Sequence, residues 1–176
     1  MTDLRIFTAD DEAWTVGFWD GCEADRVFAP AILDGSDTLA GVIDFAEKMR
    51  KHPTIFVLDS RMYLSDSNLA RVAADLSRQY GFSLRLEEAA ENLNGFLVGC
   101  WIRALSDTYR VILLTAFAQE IYGKLQSEVA MRVMYDRAIA GLFPKSDTRA
   151  IKKAVRRLVR ELELRFVRAS TLGDKY

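Results

Sequence analysis

The carboxylate of Asp59 is the side chain whose place in the sequence most favours chemistry. It directly follows the run 54–58, in which β-branched and apolar residues continue without a charge. Such a run predicts a central strand that is covered on both faces of a sheet. Polar groups at the end of a buried strand lie where α/β proteins commonly form their sites. Asp59 is therefore a candidate functional residue.

The composition excludes several other kinds of site. The chain has one histidine, His52, and two cysteines, Cys22 and Cys100, which are far apart and in no CxxC spacing. A zinc site built from cysteine and histidine is therefore not expected, and two cysteines do not form a disulfide framework. The sequence contains no glycine-rich phosphate-binding loop, which disfavours nucleotide-dependent enzymes.

The overall composition is that of an ordinary globular domain. Of the 176 residues, 50% are hydrophobic and 28% are charged. The longest uncharged runs, 92–102 and 111–119, are shorter than the about 20 apolar residues needed to cross a bilayer, so membrane insertion is not expected. No basic segment precedes an apolar run at the N-terminus, which favours a cytoplasmic location.

Charge is distributed unevenly along the chain. Residues 1–47 contain 11 acidic and 2 basic residues, whereas residues 145–176 contain 10 basic and 4 acidic residues. One interpretation is that the two regions attract each other, within one fold or across a homodimer. The other is that each region is a surface for an oppositely charged partner.

A basic amphipathic helix is predicted over residues 147–167. Apolar residues such as Ile151, Val155 and Leu158 form one stripe, and basic residues occupy the rest of its surface. The excess of arginine over lysine favours bidentate recognition of phosphate or carboxylate. The candidate binding residues for an anionic partner are Arg149, Lys152, Lys153, Arg156, Arg157 and Arg160. The alternative is that this helix packs on the acidic N-terminal region of the same protein.

The N-terminal residues predict paired strands. Residues 4–9 and 13–19 both have period-two character, and the short acidic segment 10–12 between them suits a hairpin connection. A third strand is predicted over 26–33, where Pro30 restricts it to an edge or broken strand.

The middle of the sequence predicts alternating helices and strands. Ser36 or Asp37 caps a helix whose apolar residues recur at i, i+3 and i+4. After the strand at 54–58, a second helix ends at Gly81, a residue type suited to a C-terminal cap. A further strand is predicted at 82–86, where apolar residues alternate.

The second half of the chain is predicted to be mostly helical, with helices over 107–125, 127–142 and 147–167. The expected fold class is therefore α/β, with a mixed sheet of about four to five strands in the N-terminal half and a helical C-terminal half. We expect a single domain over residues 1–176, with a sheet-bearing part at 1–86 and a mostly helical part at 87–176.

Two short segments resemble strands of the ribonuclease H-like fold. Residues 5–8, RIFT, followed by acidic residues, are similar to the first strand of that family, and residues 57–63, VLDSRMY, are similar to its fourth strand. The predicted order of strands and helices over the first half of the chain also resembles that family. The resemblance implies a fold in which carboxylates hold two divalent metal ions that clamp the oxygens of a phosphodiester.

The resemblance also implies a set of ligands for Mg²⁺. On the family's pattern, the carboxylates are Asp10 or Asp11, Asp37, Asp59 and Asp136. Hard Mg²⁺ prefers such oxygen ligands. The alternative for three of these positions is structural, because Asp10 and Asp11 suit a turn and Asp37 suits a helix cap.

A second, looser resemblance is to the switch segment of anti-sigma-factor antagonist (STAS) domains. Residues 63–69, YLSDSNL, lie between a predicted strand and a predicted helix, as the phosphorylatable serine of that family does. The resemblance implies Ser65 or Ser67 as the switch, with Asp66 at the place the serine would take. Simple N-capping of the helix is the alternative role for these serines.

These observations together predict a small, non-catalytic regulatory or inhibitory protein that binds a macromolecule. The partner is expected to be a nucleic acid or protein with an anionic surface, and no cofactor is expected. The alternative is a Mg²⁺-dependent nuclease of ribonuclease H-like type that uses Asp59 and the other carboxylates.

Overall fold

A five-stranded sheet forms the centre of the structure, a computed structural model that describes residues 3–10, 12–81 and 93–173. The strands are β1 (Arg5–Ala9), β2 (Ile32–Ser36), β3 (Thr54–Asp59), β4 (Tyr109–Thr115) and β5 (Ile139–Pro144). They follow the order β2-β1-β3-β4-β5, and all four pairings are parallel. Parallel pairing requires a crossover between successive strands, and helices provide these crossovers.

The helices lie on both faces of the sheet. They are α1 (Ala13–Ala24), α2 (Leu39–Lys48), α3 (Asp66–Tyr80), α4 (Asn94–Leu105), α5 (Ala118–Ser127), α6 (Val129–Ala138) and α7 (Thr148–Gly173). Buried residues of α1 and α7 pack on one face, and those of α2 to α6 pack on the other. Among the described helices, none combines the length and apolar composition that crossing a bilayer requires.

The central strands β3 and β4 are buried along their whole length because both faces of the sheet are covered. Alternate residues of β3 point to opposite sides: Ile55 and Val57 join the cluster with α1 and α7, whereas Phe56 and Leu58 join the other cluster. This is why the sequence of these strands is continuously apolar rather than alternating.

The parallel register brings the carboxyl ends of neighbouring strands to one edge of the sheet. Ala9 of β1 pairs with Leu58 of β3, and Asp59 pairs with Leu114 of β4. Residues that end or follow these strands therefore lie side by side. The fold thus supplies a row of positions at which polar side chains from separate parts of the sequence meet.

Several predicted elements of the first half are confirmed. Strand 54–58 is β3, and the helix that ends at Gly81 is α3, with Gly81 in the left-handed conformation at φ 75°. The helix predicted from Ser36 or Asp37 is α2, but its N-cap is Thr38, whose side chain accepts a hydrogen bond from the Gly41 amide at 3.2 Å. The α/β class and a sheet of the predicted four to five strands are also confirmed, and all four strand pairings are parallel.

The predicted hairpin near the N-terminus is wrong. Residues 4–9 contain β1, but the second predicted strand, 13–19, lies in helix α1. Trp19 and Cys22 of α1 are buried at i, i+3 spacing against the sheet, and a short apolar run cannot distinguish this period from alternation. The third strand begins at Ile32, after Pro30, rather than at 26.

The predicted helical half of the chain is only partly right. Strand β4 replaces the start of the helix predicted at 107–125, and β5 replaces the end of the helix predicted at 127–142. Both strands are short and mostly apolar, and the periodicity of so short a run does not distinguish a buried strand from a buried helix. The last predicted helix, 147–167, is confirmed as α7, and the strand predicted at 82–86 lies outside the described residues.

Among the described residues of the crossover from β3 to β4, helix α4 contacts the end of β3. Gly95, in the first turn of α4, donates its amide hydrogen to the Ser60 carbonyl at 3.1 Å. A Cβ at this position would collide with the Asp59 carbonyl oxygen and lie 3.0 Å from Ser60 Cα. Only glycine therefore permits α4 to begin directly against the backbone of Asp59.

Gly95→Ala is expected to lower the free energy of unfolding by about 2–3 kcal/mol, because the atoms it would meet belong to buried backbone that cannot rotate away. Gly17→Ala is the matched control: it lies in a helix, its Cβ would meet nothing within 4 Å, and it is expected to stabilise the protein by about 0.5–1 kcal/mol. Urea unfolding measures both. Equal effects of the two substitutions would contradict the proposed close approach.

Candidate functional site

The ammonium group of Lys145 is surrounded by three carboxylates at the carboxyl edge of the sheet. Its Nζ lies 3.0 Å from an Asp10 oxygen, 3.0 Å from Asp59 Oδ2 and 3.2 Å from Glu12 Oε1. The side chains of Lys145, Asp10 and Asp59 are all less than 9% exposed. We call these four residues the Lys145 cluster.

Separate elements deliver the members of the Lys145 cluster. Asp10 follows β1, Asp59 ends β3, and Lys145 follows β5. The amide of Lys145 donates to the Thr115 carbonyl at 3.0 Å, which holds the lysine beside the end of β4. From there its long side chain crosses the end of β4 and reaches the two strands beyond.

Hydrogen bonds from the backbone orient the two buried carboxylates. The Glu12 amide donates to Asp10 Oδ1 at 2.9 Å, and the Arg61 amide donates to Asp59 Oδ1 at 3.1 Å. Lys145 donates to Asp10 Oδ1 and to Asp59 Oδ2. Asp10 Oδ2 is also 3.0 Å from the ammonium nitrogen, but it is buried and accepts no hydrogen bond. The cluster therefore retains one unsatisfied carboxylate oxygen.

Burial and charge shift the pKa values of this cluster. Burial raises the pKa of Asp59, assisted by the charge of Asp10, and the hydrogen bond from Lys145 offsets this only in part. Burial alone would lower the pKa of Lys145, but hydrogen bonds to Asp59 and Asp10 outweigh it, so that pKa is raised. Lys145 is therefore held in its charged form, whereas ionised Asp59 is a basic, and hence nucleophilic, carboxylate.

The charges of the Lys145 cluster suit a divalent cation. Three carboxylates and one ammonium leave a formal charge of −2 on these four residues. The donors are hard oxygens, and one of them, Asp10 Oδ2, is unsatisfied. Mg²⁺ is commonly held by one or two carboxylates and completes its shell with water and substrate phosphate. The donor atoms of Asp10 and Asp59 are therefore of the kind that Mg²⁺ prefers.

A cleft of about 410 Å³ lies over one side of the cluster, between the ends of β4 and β5. Its lining includes Glu12, Thr115 and Lys145. Thr115 is fully buried, and its Oγ1 accepts a hydrogen bond from the Phe117 amide at 3.0 Å. The cleft therefore opens beside the buried side chains of Lys145 and Thr115.

The structure brings together only two of the described carboxylates that the sequence suggested as Mg²⁺ ligands. Asp10 and Asp59 meet at Lys145, but Asp37 is exposed before α2 and Asp136 is exposed on α6. Asp11 lies outside the described residues. Within the described part of the chain, no group of three histidine, cysteine or acidic side chains is arranged to hold a metal ion. The described residues thus do not form the four-carboxylate, two-metal arrangement.

Helix α7 has the amphipathic character that the sequence predicts. Its apolar stripe, including Ile151, Val155 and Leu158, is buried against the sheet beside Trp19 of α1. Of the six candidate binding residues, Lys152 is half-buried, and five are exposed: Arg149, Lys153, Arg156, Arg157 and Arg160. The helix therefore packs beside the acidic N-terminal region through apolar residues, with its charges outward.

Several solved structures with a similar fold are described as receiver domains or as response regulators. A two-component transcriptional regulator from Clostridium phytofermentans is 22% identical, with 92% of this chain and 97% of that chain covered and a TM-score of 0.56. The receiver domain of an HD domain-containing protein from Pseudomonas fluorescens is 10% identical, with coverages of 92% and 98% and a TM-score of 0.57.

A third similar structure is that of RcsB from Salmonella enterica, bound to a promoter in the presence of the phosphomimetic BeF3-. It is 13% identical, with 90% of this chain and 99% of that chain covered and a TM-score of 0.54. Comparisons of the sequence with protein-family models and with curated proteins find no match. Identities this low establish the fold alone.

The chain therefore has the fold of receiver domains, and the two resemblances drawn from sequence are wrong. The ribonuclease H-like reading required the antiparallel strands at the N-terminus that the structure replaces with α1. The STAS-like reading placed a switch at Ser65 or Ser67. In the structure Ser65 immediately precedes α3 and Ser67 lies in its first turn.

Lys145 and Thr115 are among the residues of the site that were missed at the level of sequence. Both follow or end strands that were predicted as helices, so neither was placed at a strand end. A usable signal was present: apolar residues 111–114 precede Thr115 as apolar residues 55–58 precede Asp59. Treating both runs as buried strands would have brought the two polar residues to one edge.

The free energy of unfolding of Asp59→Asn, relative to that of the native protein, is expected to increase as the pH rises from about 4 towards 7. The pKa of Asp59 is raised in the folded state, so the unfolded chain loses this proton first and the native protein loses stability until the folded-state pKa is passed. Asparagine does not titrate. Urea unfolding at a series of pH values measures the difference.

The control for this pH series is Asp44→Asn, which removes an exposed carboxylate from α2. The effect of burial at Asp59 is the part of the pH dependence that this exposed control does not share. A difference for Asp59→Asn that stays constant, or that shrinks with rising pH, would contradict the role assigned to burial.

Proposed function

We propose that this protein is a regulatory module whose state is set by transfer of a phosphoryl group to Asp59. The single observation that supports this most strongly is the Lys145 cluster, in which one buried ammonium binds both Asp10 and Asp59 at 3.0 Å. The receiver-like fold agrees with this proposal, because it is the fold of proteins described as response regulators. Phosphoryl transfer to Asp59 would be the chemical basis of the regulatory role that the sequence predicts.

The chemistry is nucleophilic attack by a carboxylate. An ionised Asp59 oxygen attacks the phosphorus of a phosphorylated donor, a new P–O bond forms, and the bond to the leaving group breaks with its electron pair going to that group. The product is an aspartyl phosphate. The raised pKa of Asp59 makes its ionised form a better nucleophile, and the ammonium of Lys145 offsets negative charge on the transferring group.

Asp10 and Asp59 are the residues that would hold Mg²⁺, with Glu12 close to the same ammonium. When bound, Mg²⁺ supplies neutralisation of the phosphoryl oxygens during transfer. The protein itself contributes the orientation of both carboxylates through the amides of Glu12 and Arg61. The formal charge of −2 on the Lys145 cluster and the unsatisfied oxygen of Asp10 support binding of Mg²⁺ by these carboxylates.

A phosphoryl group on Asp59 would change the surroundings of Thr115 and Phe117. The phosphoryl group adds negative charge and strong hydrogen-bond acceptors at the end of β3, and the neighbouring strand β4 ends at the buried Thr115. Thr115 already holds the amide of Phe117, the N-cap of α5, and the Phe117 ring is 49% exposed with Arg61 stacked 3.8 Å above it. Movement of Thr115 would therefore be transmitted to an exposed aromatic surface that a partner can contact.

The test is to incubate the protein with acetyl phosphate and Mg²⁺ and to follow its intact mass. The native protein is expected to gain one phosphoryl group, and Asp59→Asn is expected to gain none. Lys145→Met is expected to slow the reaction by about a hundredfold, because it removes one charged donor to the transferring group. Hydroxylamine should remove the added group, since it cleaves acyl phosphates.

Asp44→Asn serves as the control, because it removes an exposed carboxylate outside the site and should react as the native protein does. Circular dichroism of each variant establishes that it is folded. Phosphorylation of Asp59→Asn at the native rate would overturn the proposal. So would a native protein that takes up no phosphoryl group at any Mg²⁺ concentration.

A further inference from the structure

The exposed basic face of α7 is a second surface of this protein, and we infer that it binds the phosphate backbone of duplex nucleic acid. We call this surface the basic stripe. It consists of the five exposed residues Arg149, Lys153, Arg156, Arg157 and Arg160. The inference does not depend on phosphorylation of Asp59.

The residues of the basic stripe form one continuous line along the helix. With 3.6 residues per turn, all five fall within an arc of roughly 100°, and the line from Arg149 to Arg160 is about 16 Å long. No acidic residue occurs between 148 and 160. A duplex presents one negative charge for about every 1.7 Å of its axis, so a line of this length faces several phosphates at once.

Within the described residues, no ion pair joins any of the five exposed side chains of the basic stripe to a carboxylate. Arg156 makes a single long hydrogen bond to the Val27 carbonyl, at 3.4 Å. The neighbouring Lys152 is directed instead to the ring of Phe18, at 5.1 Å. The acidic N-terminal region therefore touches this helix without pairing with its exposed charges.

A membrane surface does not fit this helix. A helix that lies on a bilayer buries its apolar face among the lipids. The apolar face of α7 is already buried in the protein core, where Ile151, Val155 and Leu158 are each no more than 2% exposed. Over residues 149–160 the exposed side of the helix therefore carries charge rather than an apolar surface, and the exposed Leu164 lies beyond the stripe.

Nucleic acid fits the stripe better than an acidic protein does. Stable protein interfaces contain a desolvated core that is rich in aromatic and apolar side chains, and no such residue lies within the stripe. Four of its five residues are arginines, which bind phosphate oxygens bidentately. A line of cations with no apolar centre is suited to a polyanion. Binding through phosphates alone is expected to be independent of base sequence.

The test measures binding of the full-length protein to a fluorescently labelled DNA duplex of mixed sequence, by anisotropy, over a series of salt concentrations. The native protein is expected to bind with log K falling by about 4–5 for each unit of log salt concentration, as five phosphate contacts require. Lys153→Glu/Arg157→Glu is expected to weaken binding more than tenfold and to reduce this slope by about 2.

The matched control is Lys48→Glu/Lys51→Glu, which makes the same change in net charge at two exposed lysines at and just after the end of α2. It is expected to change affinity less than threefold. Lys153→Arg/Arg157→Lys keeps both charges and is expected to retain the native salt slope. Circular dichroism verifies that each variant is folded.

Equal weakening by the two Glu variants would overturn the inference, because the effect would then follow net charge rather than the stripe. Absence of binding to the duplex at low salt would also overturn it. So would binding to poly-glutamate or to phosphatidylserine vesicles that is tighter than binding to the duplex. Because Asp59 takes no part, a failed duplex experiment leaves the phosphorylation experiment unaffected, and the reverse also holds.

Discussion

The burial of one ammonium among three carboxylates is the constraint on which the architecture depends. A buried charge is tolerated only when partners surround it, and Lys145, Asp10 and Asp59 are each almost fully buried. They come from positions as distant in sequence as 10 and 145. Only parallel strands bring their carboxyl ends to one edge, so the chemistry of the cluster and the direction of the strands require each other.

A close contact between backbones holds helix α4 next to Asp59. Gly95 permits α4 to begin against the end of β3, and α4 then covers the sheet. Helix α3 lies beside α4, linked to it by the hydrogen bond from Trp101 Nε1 to Asp75 at 2.9 Å, and Arg71 of α3 pairs with Glu47 of α2. Apolar packing also holds α3, because its Leu69, Val72 and Leu76 are buried in the cluster that includes residues of α2 and α4.

The sequence predicts a helix or strand correctly where its hydrophobic periodicity extends over many residues or where a capping residue is specific. Helix α7 and the αL residue Gly81 are recovered from such signals, and β3 from its β-branched run. Strands β4 and β5 were missed because a short apolar run looks the same in a buried strand and in a buried helix. What distinguishes them is burial on both faces, which exists only once the helices have packed on the sheet.

The same difficulty explains which part of the site could be predicted. Asp59 was found because its strand was recognised, and Lys145 was missed because its strand was not. The convergence of Asp10 with Asp59 needed the strand order β1-β3, which no local pattern encodes. Asp37 and Asp136 entered the expected set through a family pattern whose strand directions this chain does not share. Residue types in a sequence thus identify candidates, and only topology decides which of them meet.

The charges of the Lys145 cluster are paired, whereas those of the basic stripe form no ion pair with a carboxylate of the described residues, and this difference bears on function. Inside, each charge is paired because an unpaired one would cost several kcal/mol of stability. On α7, like charges stand at i, i+4 spacing in the pairs 149/153, 153/157 and 156/160, and each such pair destabilises a helix by about 0.2–0.5 kcal/mol. A glutamate at 153 or 156 would turn repulsion into attraction and would still leave the apolar stripe intact. Packing on the sheet does not require the repulsion within this stripe, and a bound polyanion would relieve it.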